Sequence, residues 1–360
     1  MKSKNFLFPT TKVFLFALVV VAVITLSVLF SCTQTTVAAP PPDGSEFEIH
    51  FIDVGQADAA LVICRGKAMM IDGGNAGDSN LIYAYLKKNN IEHLDYIVAT
   101  HAHEDHIGGL PGALKFATVG TVYCPVTEYD SKIFDSFKKY TEERGAIITV
   151  PSAGNNFKLG NADVEIIACN SAEDTNDTSI VLRIVYGETS FIFTGDAERA
   201  TEETILKNNF DLKSTVLKVA HHGSDTSTTY PFLRSVLPEY AVISVGNDNG
   251  YGHPHEEVIS RLNDAEVTIL RTDILGDIIC KSDGNTVTFT SSKGEITDIE
   301  KTSDKIYNLD EYILNVKSKK FHLPECSGAK DMSESNKSYF SGTREKLISD
   351  GYSPCKTCKP

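Results

Sequence analysis

The apolar run Tyr96-Ile-Val-Ala-Thr breaks at His101-Ala-His103-Glu-Asp105-His106 and is followed by Ile-Gly-Gly. Three imidazoles and a carboxylate within six residues are a tight constraint, because the whole chain holds only 10 histidines in 360 residues. Where a strand opens into a loop, alternate residues point the same way, so His101 and His103 converge on one cation. Asp105 and His106 then turn to a second cation a few Å away, the arrangement of two-metal hydrolases. A polar helix cap with incidental histidines does not account for this concentration.

Two further segments repeat the device. Phe191-Ile-Phe-Thr-Gly195-Asp196 and Val216-Leu-Lys-Val-Ala220-His221 are apolar runs ending in ligand-type residues. Three strands that end this way are expected to build one site at one rim, where rigid elements hold the ligands. Asp196 has a second reading as the cap of a helix starting at Glu198. Period-2 apolar runs predict strands over 48–52, 60–64, 96–99, 164–168, 179–185, 190–193, 216–219 and 240–245. Helical spacing predicts helices over 79–89, 131–144, 198–207 and 254–264. Strands with helices between them imply a layered α/β domain. A chain of this length with 41% hydrophobic residues can bury one large core and carry a small appended module.

Together these motifs resemble the metallo-β-lactamase superfamily, and within it the metal-binding domain of the ComEC competence proteins. The resemblance covers roughly residues 48–289. It rests on Phe51-Ile-Asp53-Val-Gly55-Gln56-Ala57-Asp58, Ile71-Asp72-Gly73-Gly74, Thr194-Gly195-Asp196, His221-His222-Gly223-Ser224, Tyr251-Gly252-His253-Pro254 and Arg271-Thr272-Asp273. Ala57 stands where glycine is usual. The resemblance implies an αββα sandwich with two divalent cations, Zn²⁺ or Mn²⁺, held by His101, His103, Asp105, His106, Asp196 and His221. It makes Asp196 the ligand shared by both cations, and it places Asp53 and His222 behind the ligands. One position departs from the two-zinc pattern: Asn176 sits where a histidine precedes the strand at 179–185. An amide oxygen is a harder donor than imidazole, so the first cation site is expected to favour Mn²⁺ or another hard ion. Asn176 and Asp177 can equally form a plain Asx turn.

The chemistry follows from such a site. A water between two cations ionises near neutral pH and attacks phosphorus or a carbonyl. Asp105 is expected to orient it, and His253 to protonate the leaving oxygen or hold a phosphate oxygen. No nucleotide cofactor is expected.

The chain ends carry separate messages. Lys2, Lys4 and Lys12 precede an apolar run over 13–30, the layout of a signal peptide or an anchor helix, followed by a Pro- and Thr-rich tether to residue 42. Leu-Phe-Ser-Cys32 resembles a lipobox, which would make Cys32 a lipidated N-terminus on the outer face of a bacterial cytoplasmic membrane. After a catalytic domain over 43–290, residues 291–314 read as a linker. In 315–360, His322-Leu-Pro-Glu-Cys326 and Cys355-Lys-Thr-Cys358 pair four donors as a structural tetrahedral zinc does. This stretch resembles the zinc module of Ada-type DNA repair proteins, with His322 in place of a cysteine. The other cysteines, Cys64, Cys124, Cys169 and Cys280, look like buried single thiols, and if Cys32 is lipidated the seven left of the chain's eight are an odd number that fits disulfides poorly.

The formal charge is -14, with +3 on the first 42 residues and +4 on residues 315–360, which leaves -21 on residues 43–314. An exported phosphodiesterase or nuclease on DNA is the leading expectation, with the zinc module capturing the strand. The acidic domain leaves room for a hydrolase of a small phosphoester, lactone or cell-wall fragment, or for a non-catalytic DNA-binding lipoprotein. Asn176 argues against antibiotic hydrolysis.

Overall fold

The hairpin Phe47–Phe51 with Ala59–Cys64 sets the pattern of the domain: Phe47 lies opposite Cys64 and Ile49 opposite Val62. Both strands are almost continuously buried, because each carries apolar residues on both faces. The computed structural model describes residues 47–293, 296, 312–323, 326–340 and 344–358. The segment read as an export signal, Cys32 included, and most of the expected linker lie outside these residues.

The first sheet has eight strands in the order Val287–Ser291, Ile278–Ser282, Phe47–Phe51, Ala59–Cys64, Lys67–Gly73, His93–Val98, Thr118–Tyr123, Ile148–Thr149. The second has seven: Thr268–Arg271, Tyr240–Ile243, Val216–Lys218, Thr189–Phe193, Val181–Tyr186, Ala162–Ala168, Asn156–Leu159. Each sheet has one antiparallel and one parallel portion. Their inner faces meet in a core where Phe47 stacks on Tyr186 at 4.8 Å and on Phe191 at 5.0 Å. Helices close both outer faces. Ser79–Lys88, Leu110–Phe116 and Lys132–Glu143 bury Leu86, Leu114 and Phe137 on one side. Arg199–Lys207, Tyr230–Val236 and Glu256–Asp264 bury Ile205, Phe232 and Leu262 on the other. The result is the αββα sandwich.

Every strand and helix predicted from periodicity is present, with small shifts at the ends; the helix expected from Pro254, for example, starts at Glu256. Residues 312–323, 326–340 and 344–358 form a separate four-stranded sheet. Its first strand, Tyr312–Asn315, starts inside the expected linker, because Tyr312 and Leu314 are buried in the small core with Phe321 and Leu347. Arg344 joins this module to the sandwich: it is 5% exposed, bonds Asp264 Oδ2 at 2.8 Å and lies over the Tyr230 ring. The seven cysteines of the described residues are all free; Cys64, Cys124 and Cys280 are buried, while Cys169 is half-buried. Among the described residues no helix is long and apolar enough to cross a membrane.

Helix 110–116 and the short helix Glu104–Ile107 press on the loop after Lys67–Gly73. A Cβ on Gly109 would stand 1.8 Å from the Gly73 carbonyl oxygen. Gly109→Ala is therefore expected to lower stability by about 1–3 kcal/mol or more, read as a lower denaturant midpoint. An unchanged midpoint would mean that this loop is free to retreat.

Candidate metal centre

The parallel portions of the two sheets end at one rim, where ligand-type residues gather. Strand His93–Val98 continues through Ala99 to Thr100, whose N–H and Oγ1 both donate to Asp72, at 2.7 Å each. His106 Nδ1 donates to the same carboxylate at 2.8 Å. With Nδ1 committed, His106 Nε2 faces Asp196 Oδ2 at 3.3 Å, yet it makes no hydrogen bond. Asp196 follows Gly195, which has φ +51°, and a Cβ there would meet Thr100 Cβ at 2.9 Å. The Asp196 amide donates to Ser179 Oγ. The helix after it is capped from elsewhere: Asp177 Oδ1 accepts from the Glu198 and Thr201 amides. Asp196 is thus not spent on capping.

Its Oδ2 is the hub of the site. Ring nitrogens of His101, His106, His221 and His222 lie 3.9, 3.3, 3.7 and 3.8 Å from this one oxygen. Asp105, His106, Asp196 and His222 offer ligand atoms that all lie within 4.8 Å of one another. On the other flank His101 Nε2 and His103 Nδ1 are 3.0 Å apart. His106 Nε2 and Asp196 Oδ1 are buried without hydrogen-bond partners. Converging imidazoles and carboxylates with unspent buried atoms fit divalent cations, which would accept their lone pairs.

His222 is itself in the cluster, a correction to the expectation that it stands behind the ligands. Both His221 and His222 have left-handed backbones, φ 51° and 53°, a conformation that costs non-glycine residues about 1–2 kcal/mol each. The turn sends His222 inward, 2% exposed, with Nδ1 donating to Ser244 O and Nε2 3.3 Å from Asp105 Oδ2. Asp53 is also corrected: it pairs with Lys293 at 2.7 Å and accepts from the Gly55 amide. The carboxylates that face ligand histidines from behind are Asp72 and Asp58; Asp58 Oδ1 lies 3.4 Å from His222 Nδ1. Buried Lys218 bonds Asp58 Oδ2 at 2.8 Å. Asp58 and Asp72 stand in quoted motifs, but only the fold reveals what each one touches.

Asn176 lies beside the cluster. Its Nδ2 donates to Glu198 Oε1 at 3.4 Å and its Oδ1 is buried without a partner, while the Asx-type bond at this turn is made by Asp174 to the Asn176 amide. His253 is at the rim, 5.6 Å ring to ring from His221 and 6.4 Å from His222. In the C-terminal module His322, Cys326, Cys355 and Cys358 form a second cluster with ligand atoms within 4.8 Å of one another. Amides of Leu323 and Thr357 point at Cys358 and Cys355 sulfurs, both at 3.4 Å. Burial raises the Cys355 thiol, but amide hydrogen bonds from Cys358 and Thr357 outweigh it and bring it down to about 7.

Charge balance in the main cluster is set by proximity. Burial opposes charge on His106, yet Asp196 and Asp72 raise it well above the ordinary histidine range. Burial likewise opposes charge on His222, but Asp196 and Asp58 raise it to about 10. His101 is pushed well down, by burial and then by His106. Asp105 falls to about 2 because bonding to His222 and the charge of His106 overcome its burial.

Residues 52–247 match the metallo-beta-lactamase superfamily. The chain is 30% identical over 254 residues to ComE operon protein 3 of Bacillus subtilis, covering 65% of this chain and 33% of that protein. It is 31% identical over 236 residues to competence protein ComA of Neisseria gonorrhoeae, covering 64% and 32%. It therefore spans about a third of the length of these relatives. Among solved structures it is similar to the metallo-beta-lactamase fold protein YhfI from Bacillus subtilis, with TM-score 0.45 and 13% identity over 66% of this chain and 100% of that one.

In the metal-free protein the charged His222 stabilises the fold. Its folded value of about 10 exceeds the ordinary 6.5, so the contribution is complete below about pH 6.5 and is lost as pH rises through about 10. Cation binding at pH 7 is then expected to expel a proton from His222. Calorimetric titration in buffers of different ionisation enthalpy should give different heats; equal heats would refute the protonated cluster.

Proposed function

The chain belongs to the metallo-beta-lactamase superfamily, and on that footing we propose that it is an exported, membrane-tethered, metal-dependent phosphodiesterase that acts on DNA. The observation that carries the reading is the single Asp196 oxygen within 4 Å of four imidazole nitrogens, flanked by His101 with His103 and by Asp105 with His106. That is the donor set for two cations sharing one carboxylate. Bound there, Zn²⁺ or Mn²⁺ would acidify water and polarise a phosphoryl oxygen.

The chain's own residues divide the remaining work. Asp105, ionised and half-buried, is placed to orient the attacking water. His253 is held by Gln56: the Gly246 amide donates to Gln56 Oε1 at 3.1 Å, which turns Gln56 Nε2 toward His253 Nδ1 at 3.3 Å. That contact leaves the ring proton on Nε2. Burial, then His255 and His221, lower His253 to about 4, so it is neutral at pH 7. A neutral Nε2–H suits hydrogen bonding to a phosphate oxygen better than proton donation.

DNA as substrate rests on the similarity to competence proteins and on the +4 module. Export and tethering rest on residues 1–42. The -21 on residues 43–314 favours a second reading, a small phosphoester, lactone or cell-wall fragment as substrate. In the module His322, Cys326, Cys355 and Cys358 would hold a structural zinc with no open position.

Two measurements test this. The purified chain with Mn²⁺ or Zn²⁺ should cleave single-stranded or plasmid DNA and bis-p-nitrophenyl phosphate, and Asp196→Ala should lose roughly 10³-fold, several kcal/mol of transition-state stabilisation. Cleavage of the ester alone would favour the second reading, and no hydrolysis of either would sink the phosphodiesterase reading. Cys355→Ser should lower the zinc content by one equivalent. A Cys355–Cys358 disulfide in metal-free wild type would rule the zinc out.

A further inference from the structure

A first cation would have two side chains of its own, His101 and His103, besides the shared Asp196, because the position expected to hold a third histidine is Asn176. His221 is placed to make up the deficit. Its Nε2 lies 3.7 Å from Asp196 Oδ2. Its Nδ1 lies 3.2 Å from Glu198 Oε1. That oxygen also accepts from Thr226 Oγ1 at 2.9 Å and from Asn176 Nδ2 at 3.4 Å. Glu198 is fixed at its backbone, since its amide donates to Asp177 Oδ1 on the loop that carries Asn176. A carboxylate behind one imidazole nitrogen fixes the tautomer and frees the other nitrogen for a metal.

We infer that His221 is the third imidazole ligand of the first cation, and that Glu198, itself held by Asn176 and Thr226, is the residue that positions it. The inference rests on the two-cation reading above. In this arrangement the adjacent histidines serve different cations, His221 the first and His222 the second. The amide at 176 is retained as a brace for Glu198 while the ligand comes from another strand end. Asn176 Oδ1, buried without a partner, makes Asn176 the rival donor.

Metal content and affinity of the full chain decide between them. Wild type, His221→Ala, Glu198→Ala and Asn176→Ala are loaded with Zn²⁺ or Mn²⁺, and equivalents beyond the module's own are titrated against a chromophoric chelator. His221→Ala should lose one of two equivalents, and Glu198→Ala should bind that same equivalent about 10–100-fold more weakly. Adding Asn176→His to His221→Ala should restore the lost equivalent, a gain that misfolding cannot imitate. The inference is overturned if His221→Ala keeps both equivalents at wild-type affinity, or if Asn176→Ala loses one and His221→Ala does not. A wild type with no cation outside the module would instead fell the two-cation reading itself.

Discussion

The organisation of the rim depends on negative charge buried beside imidazole. Asp58, Asp72 and Asp196 are each at most 5% exposed, and together with Asp105 they surround His106 and His222. Two like charges 4 Å apart repel by about 4 kcal/mol at an effective dielectric of 20, so these carboxylates coexist only with positive charge between them. Lys218 pairs with Asp58 at 2.8 Å. Asp72 is satisfied by Thr100 and His106. Asp196 is left with imidazoles alone, and an Asp196 oxygen without a hydrogen-bond partner is where the charge balance is least complete.

The strands that place this cluster were readable in advance because their apolar runs stop at polar residues. Val98, Phe193 and Val219 each precede the rim by two or three residues, and each is buried, so the break in pattern marks the sheet's edge. What escaped was finer. The strand Lys67–Gly73 carries apolar residues on both faces and shows no period by which to recognise it. Helices 110–116 and 230–236 are seven residues long with proline in the first turn, too short for periodicity to reveal. His222 was set behind the ligands because a strand reading points neighbours to opposite faces, and nothing local announces that both it and His221 adopt left-handed backbones. Asp53 was misplaced for another reason: its partner Lys293 is 240 residues away.

The position of the C-terminal module bears on the charge argument. Of its positive groups, Arg344 is consumed internally, wedged between Asp264, Tyr230 and Phe321, so the cationic surface is carried by lysines such as Lys317, Lys319 and Lys356. A polyanion approaching the acidic sandwich meets favourable charge at the module and at any bound cations, but not along the domain between them. Such binding would be strongly weakened by salt.

The left-handed pair at 221 and 222 has a geometric consequence. In an extended strand, side chains of consecutive residues diverge, so one dipeptide can face only one way. Here both rings reach the same carboxylate oxygen, at 3.7 and 3.8 Å, from different sides. The turn thereby works as a bracket whose two arms share one hinge, and the spacing of any two cations held there would be tied to a pair of backbone torsions instead of to two separate loops.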